Sequence, residues 1–190
     1  RNLKKNNPNL NIILTFHGNY ELELYPQPAH RAMFFDLIEE GVKAIFCHHP
    51  HIVGGYEIYN NAPIFYSLGN FYLPEVDYGG YKLKYPDIAS EGLSVEFNLD
   101  VEKINLYWTY KGKNNIFKQF QKECLKDSVK LKKLTPFTGM NHMEYLKWFK
   151  KNRKKNKLLP IYKNYDSSFE ELFNNIFVKL RQEFIYFLVK

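Results

Sequence analysis

The chemistry-bearing residues of this sequence crowd into one run, Cys47-His48-His49-Pro50-His51, which holds three of its six histidines. Neutral imidazole is a ligand for zinc, iron and other transition metals, and for manganese in mixed oxygen and nitrogen sites. Proline at position 50 biases His49 towards extended backbone. Residues two apart on an extended chain project to the same side, so His49 and His51 are expected to face together. Another imidazole, His17, ends an earlier apolar run, and Glu21 follows shortly after it. Spacing alone leaves two readings open: a metal-binding cluster, or structural histidines satisfied by hydrogen bonds. Cys47 and Cys124 match no metal or disulfide spacing, so a reducing compartment is the simplest reading. Cys47 itself is either an inert buried thiol or a redox-sensitive neighbour of the histidines.

These side chains meet only if the elements carrying them are adjacent. Asn11 to Phe16 reads as a short buried strand ending at His17, and Gly18 to Pro28 as a loop. Pro28 opens a helix whose apolar face is Phe34, Leu37, Ile38 and Gly41, with Gly41 as its stop. Val42 to Cys47 is the next strand. Strand, helix, strand is the unit of a parallel sheet, whose post-strand loops emerge at one edge; His17 and the His48–His51 run are thereby set side by side. Gly55–Tyr59 and Pro63–Ser67 read as a hairpin around Asn60-Asn61, and Gly92–Leu99 with Ile104–Tyr110 as another. Residues 74–91 read as a long loop, of the kind that is often functional. After Gly112 the composition shifts to helix formers and lysine, dividing the chain into an α/β part, residues 1–111, and a mostly helical, lysine-rich extension, residues 112–190. The extension ends in an amphipathic helix from Phe169 to Phe184, with Ser167 to Glu170 fitting a capping box. Its apolar face is expected to pack on the domain, the alternatives being to meet a partner or to lie on a membrane surface.

Over residues 10–73 the sequence resembles a known family. His17-Gly18-Asn19-Tyr20-Glu21, the proline-led helix, Gly41-Val42-Lys43-Ala44-Ile45, His48-His49-Pro50-His51, Tyr56-Glu57-Ile58-Tyr59 and Pro63-Ile64-Phe65-Tyr66-Ser67-Leu68-Gly69-Asn70-Phe71 are similar, in order and spacing, to the CapA-type capsule (poly-gamma-glutamate) synthesis family of the metallophosphoesterase superfamily. The resemblance implies the C-terminal half of an αββα sandwich with a dinuclear divalent-metal site of manganese, iron or zinc. It puts His17, His49 and His51 among the metal ligands. His48 becomes a catalytic candidate, with direct ligation and a second-shell or structural role equally open, and Glu21 a catalytic candidate that orients His17, binds substrate or is merely solvated. Asn70 reads as a turn-builder and Gly69 as a site of positive φ or close approach. Two positions depart from the family pattern: Asn19 and Cys47 stand where glycine is usual, and asparagine tolerates positive φ. The Asp-x-His block, the bridging aspartate and the Asn-His pair of the superfamily have no counterpart in this sequence and are expected upstream of residue 1, in a missing N-terminal half of the same domain. These residues alone should then be catalytically incompetent, with a sheet face and edge uncovered. The implied function is a share of a capsule, exopolysaccharide or poly-gamma-glutamate biosynthesis protein with a metal-dependent phosphoesterase-like site, incomplete in this chain. The alternative is a non-catalytic, anionic-polymer-binding scaffold of the same fold.

Bulk composition fits this frame. A net charge of +7 over 190 residues, with lysine concentrated between Lys111 and Lys163, suits an anionic polymer or a phosphorylated substrate, although such a run is more often only the solvated face of helices. Tyr107, Trp108 and Tyr110 near lysines superficially resemble a base-stacking platform. Strand alternation, however, puts Tyr107 opposite the other two, and no nucleic-acid-binding motif accompanies them, so no specific nucleic-acid partner is expected. No apolar run approaches the ~20 residues that cross a bilayer. Without an initiating methionine the chain reads as a piece of a longer protein, and its expected location is cytoplasmic or membrane-associated.

Overall fold

Local signals build the first sheet much as the sequence foretells. In the computed structural model, which describes residues 7–74, 76–78, 81–83, 85–112, 116–153 and 159–189, strand β1 (Ile12–His17) leads through a loop to helix α1 (Pro28–Glu39). Pro28 sits in the first turn of α1, where its missing N–H has no helical partner to lose. Gly41, at φ 102°, turns the chain into β2 (Val42–His48), which runs parallel to β1 with His17 opposite His48 in register. Strands β3 (Tyr56–Tyr59) and β4 (Ala62–Phe65) form the expected hairpin. Asn60 and Asn61 both take positive φ, as a two-residue turn of the right twist requires. β4 pairs parallel with β2, giving the order β1-β2-β4-β3.

The second sheet is antiparallel and made of β7 (Glu91–Glu96), β8 (Asn105–Lys111) and β9 (Phe117–Cys124), after a small hairpin of β5 (Val76–Tyr78) and β6 (Tyr81–Leu83). Helices α2 (Val129–Lys133), α3 (His142–Asn152) and α4 (Ser168–Val189) follow. Two cores result. Phe34 and Ile38 of α1 meet Ile45, Cys47 and Ile64 of the first sheet and Tyr145 and Phe149 of α3. On the other side Phe65 meets Leu93, Leu106 and Trp108 of the second sheet and Leu131 of α2. The layer order is helix, sheet, sheet: an α/β fold whose central strand β4 is buried at all four residues. Across the first core, Arg31 of α1 forms a two-pronged ion pair with Glu57 of β3 at 2.7 and 2.8 Å, and Tyr66 donates to the same carboxylate at 2.5 Å.

Several expectations change. β1 is not a fully buried strand: it lies at the sheet edge with Ile13 49% exposed, because the second core gathers on β2 and β4 and leaves its outer face open. Past Gly112 the chain first forms β9 instead of helix; its mostly polar, exposed residues are held by pairing along β8. A register shift between Trp108 and Thr109 breaks the simple alternation, so Trp108 is buried at 1% exposure while Tyr110 is 41% exposed. The terminal helix forms, but its apolar stripe does not pack on the domain: Phe173, Leu180 and Phe184 are each about 60% exposed. The side chains of the proposed capping box at residues 168–170 lie outside those described. The 74–91 segment contains β5, β6 and a 3-10 turn, Asp87–Ser90. No described helix is long and apolar enough to cross a membrane.

Candidate functional site

Parallel pairing of β1 and β2 delivers His17 and the His48–His51 loop to the same carboxyl edge of the sheet. The two post-strand loops are then stitched together. Gly18 N–H donates to His48 O at 3.2 Å, and Leu22 N–H to Pro50 O at 2.8 Å. Asn19 takes φ 85°, the conformation asparagine tolerates, and braces its loop: its Oδ1 accepts from Tyr20 N–H and Gln27 Nε2, and its Nδ2 donates to Tyr25 O.

The three imidazoles come together in a row. His17 Nε2 and His49 Nδ1 are 3.1 Å apart, with ring centroids 4.9 Å apart, and the His49 and His51 centroids are 5.8 Å apart. The backbone route differs from the expected one. His49 and His51 are not extended but hold φ of 96° and 60°. Leu68 N–H bonds to Cys47 O and Leu22 N–H to Pro50 O, so the loop is held at both ends and turns sharply between them. Positive φ in two non-glycine residues stores strain, and strain of this kind gathers at functional sites.

His51 has a partner that sequence reasoning missed. Its Nδ1 lies 2.8 Å from Asn70 Oδ1, and its ring is 6.3 Å from that of Tyr85. Asn70 was legible as a turn residue; that its side chain spans to a histidine nineteen positions earlier was not. Gly69 has φ 67°, and a Cβ there would meet Glu91 O at 2.6 Å, which fulfils both roles expected of it. His48 is half-buried, and burial, helped by the charge of His17, lowers its pKa. His49 is lowered too, by burial first and then by repulsion from His17 and His51, against an upward pull from Glu21. Glu21 is exposed and acts on the cluster through that charge. Cys47 is buried at 3% exposure and desolvation pushes its thiol up, which favours the inert reading over the redox-sensitive one.

These positions fit part of a metal centre. Two nitrogens each ~2.0–2.1 Å from one tetrahedral ion stand ~3.3–3.4 Å apart; the 3.1 Å between His17 and His49 is close to that. The lowered pKa of His49 favours the neutral form that ligation needs at neutral pH. His51 is adjacent but its nitrogens do not converge with the other two, and among the described residues no group of three His, Cys, Asp or Glu side chains could hold a metal ion. The donor set fits a two-nitrogen fragment of a site with a third imidazole beside it.

Comparison with known proteins agrees with the motif reading. Residues 1–75 match the family described as bacterial capsule synthesis protein PGA_cap. The chain is 28% identical over 158 residues to the capsule biosynthesis protein CapA of Bacillus anthracis, covering 78% of this chain and 38% of that protein. It is 35% identical over 60 residues to the PGA biosynthesis protein CapA of Bacillus subtilis, covering 32% of this chain and 16% of that one. A third relative, an uncharacterized protein of Sinorhizobium fredii, is 42% identical over 59 residues, 31% of this chain and 12% of its own. The chain therefore spans well under half the length of the curated relatives it matches.

Proposed function

We propose that this chain, which belongs through residues 1–75 to the CapA-type bacterial capsule-synthesis family, contributes part of a metal-dependent phosphoesterase-like site to a protein of capsule or poly-gamma-glutamate synthesis. The observation that carries the reading is the 3.1 Å approach of His17 Nε2 and His49 Nδ1 at the carboxyl edge of a parallel pair.

In this reading His17 and His49 would hold one ion, His51 would ligate at the neighbouring position of the expected dinuclear site, and the rest of the αββα sandwich would supply the other ligands. When bound, a divalent metal supplies Lewis acidity and lowers the pKa of water at the site. His48, at the end of β2 in register with His17, is the candidate for passing a proton to a leaving group. Glu21 raises the pKa of His49 through its charge and is the candidate for orienting the cluster or meeting a substrate. A phosphorylated or polyanionic substrate suits the chain's excess of cations.

The test is hydrolysis of bis(p-nitrophenyl) phosphate by the longer protein that carries the expected upstream half of the domain, loaded with Mn2+ or Zn2+, since this chain by itself is expected to be inactive. The reading expects turnover that EDTA removes and that His49→Ala lowers by roughly 100-fold or more. Turnover indifferent to EDTA and to His49→Ala would contradict it. Binding of poly-gamma-glutamate with no metal uptake and no turnover would favour the scaffold alternative.

A further inference from the structure

Asn70 makes three polar contacts, and together they decide a proton. Its Nδ2 donates to the carbonyls of His51 at 3.1 Å and Ala89 at 2.9 Å, while its Oδ1 lies 2.8 Å from His51 Nδ1. Carbonyl oxygens only accept, so the NH2 must face them and the amide oxygen must face the imidazole. An oxygen acceptor on Nδ1 requires that nitrogen to carry the hydrogen. The lone pair of the neutral ring is then left on Nε2.

We infer that Asn70 is a positioning residue that fixes His51 in its Nδ1–H tautomer, making Nε2 the nitrogen available to a divalent metal ion. A turn-builder needs only the two carbonyl contacts; the third contact, to the ring, goes beyond that. One side chain thereby grips both the backbone of His51, at φ 60°, and its imidazole. Asn70 is itself clamped. Gly69 and Gly92 form a bridge between the loop and β7, and a Cβ on Gly92 would fall 2.1 Å from Asn70 O, so the backbone is pressed onto the second sheet with no room for a side chain between. The second sheet thus reaches the histidine cluster through one amide. Residues that hold a ligating imidazole by its other nitrogen commonly tune metal affinity 10- to 100-fold.

The metal half of this inference rests on the function proposed above; the tautomer half does not. The experiment is long-range 1H–15N correlation on 15N-histidine-labelled, metal-free protein at pH 8, followed by Zn2+ titration, for the native protein, Asn70→Ala and Asn70→Asp. The native His51 should show the Nδ1–H tautomer alone. Asn70→Ala should release it to a mixture and weaken Zn2+ binding about 10- to 100-fold. Asn70→Asp keeps an acceptor for Nδ1–H and should retain the tautomer. A native His51 in the Nε2–H form overturns the inference without recourse to any variant, as does an Asn70→Ala protein with unchanged tautomer and affinity. A pinned tautomer with no Zn2+ uptake would uphold the positioning role and overturn the metal reading instead.

Discussion

At the scale of single residues, the histidines of this chain divide by what surrounds them. His17, His49 and His51 meet one another and polar groups at a strand edge. His30 instead lies among rings, 4.9 Å from Phe16 and 6.1 Å from Tyr162 by centroid, and burial lowers its pKa to about 4. The sign follows from linkage. Above pH 6.5 the ring is neutral folded and unfolded. Between about 6.5 and 4 only the unfolded chain takes up the proton, so stability falls with pH through that window. The expected loss is about 2–3 kcal/mol by pH 4, and His30→Phe should remove that share of the pH dependence of the urea midpoint. An equal slope in the variant would contradict the burial argument. Asn19 belongs to this scale as well: standing where the family usually has glycine, it takes φ 85° and converts the departure into a brace of three hydrogen bonds.

Among the elements, those whose signals are local were legible and those that depend on distant partners were not. The Pro28 helix start, the Gly41 stop and the Asn60-Asn61 turn are written in residues that fix their own φ, and each appears in place. β9 is written in lysine, glutamine and glutamate with no apolar alternation; only its pairing along β8 makes it a strand. The sharp φ values of His49 and His51 escaped because Pro50 restrains its predecessor alone, whereas the turn is held by Leu22 and Leu68 from other loops. α4 shows the opposite failure: its periodicity was plain, but periodicity does not say what a face touches. With Phe177 at 42% and Phe184 at 62% exposure, Phe177→Ser with Phe184→Ser should shift stability by no more than about 0.5–1 kcal/mol. Phe149→Ala, at a fully buried site on α3, should cost about 3–5 kcal/mol. Chemical denaturation of the two proteins separates these outcomes, and a large loss in the α4 variant would mean its stripe is covered after all.

For the molecule as a whole, the lysine-rich C-terminal portion is a working part of the α/β body. Phe137, Tyr145 and Phe149 complete the core over α1, and Tyr145 donates its hydroxyl to Pro26 O in the loop before α1. The Arg31–Glu57 pair sits at this junction, with the guanidinium between the rings of Phe35 and Tyr145 at 4.6 and 4.7 Å and its Nη1 donating to Met140 O. Removing one member of such a pair strands a charge in the core, so Arg31→Met should cost about 3–5 kcal/mol. Adding Glu57→Leu to it should return part of that loss, and a double variant no more stable than the single would refute the stranded-charge account. The body so held keeps β1 and β2 in register, and that register sets His17 against His49. X-ray absorption on the Zn2+-loaded, desalted protein tests the proposed role of that arrangement most directly. The account predicts retained zinc with at least two imidazole nitrogens at ~2.0–2.1 Å, and loss of that zinc when His17, His49 and His51 are all alanine. Zinc that fails to stay, or that stays equally well without the three imidazoles, would contradict it.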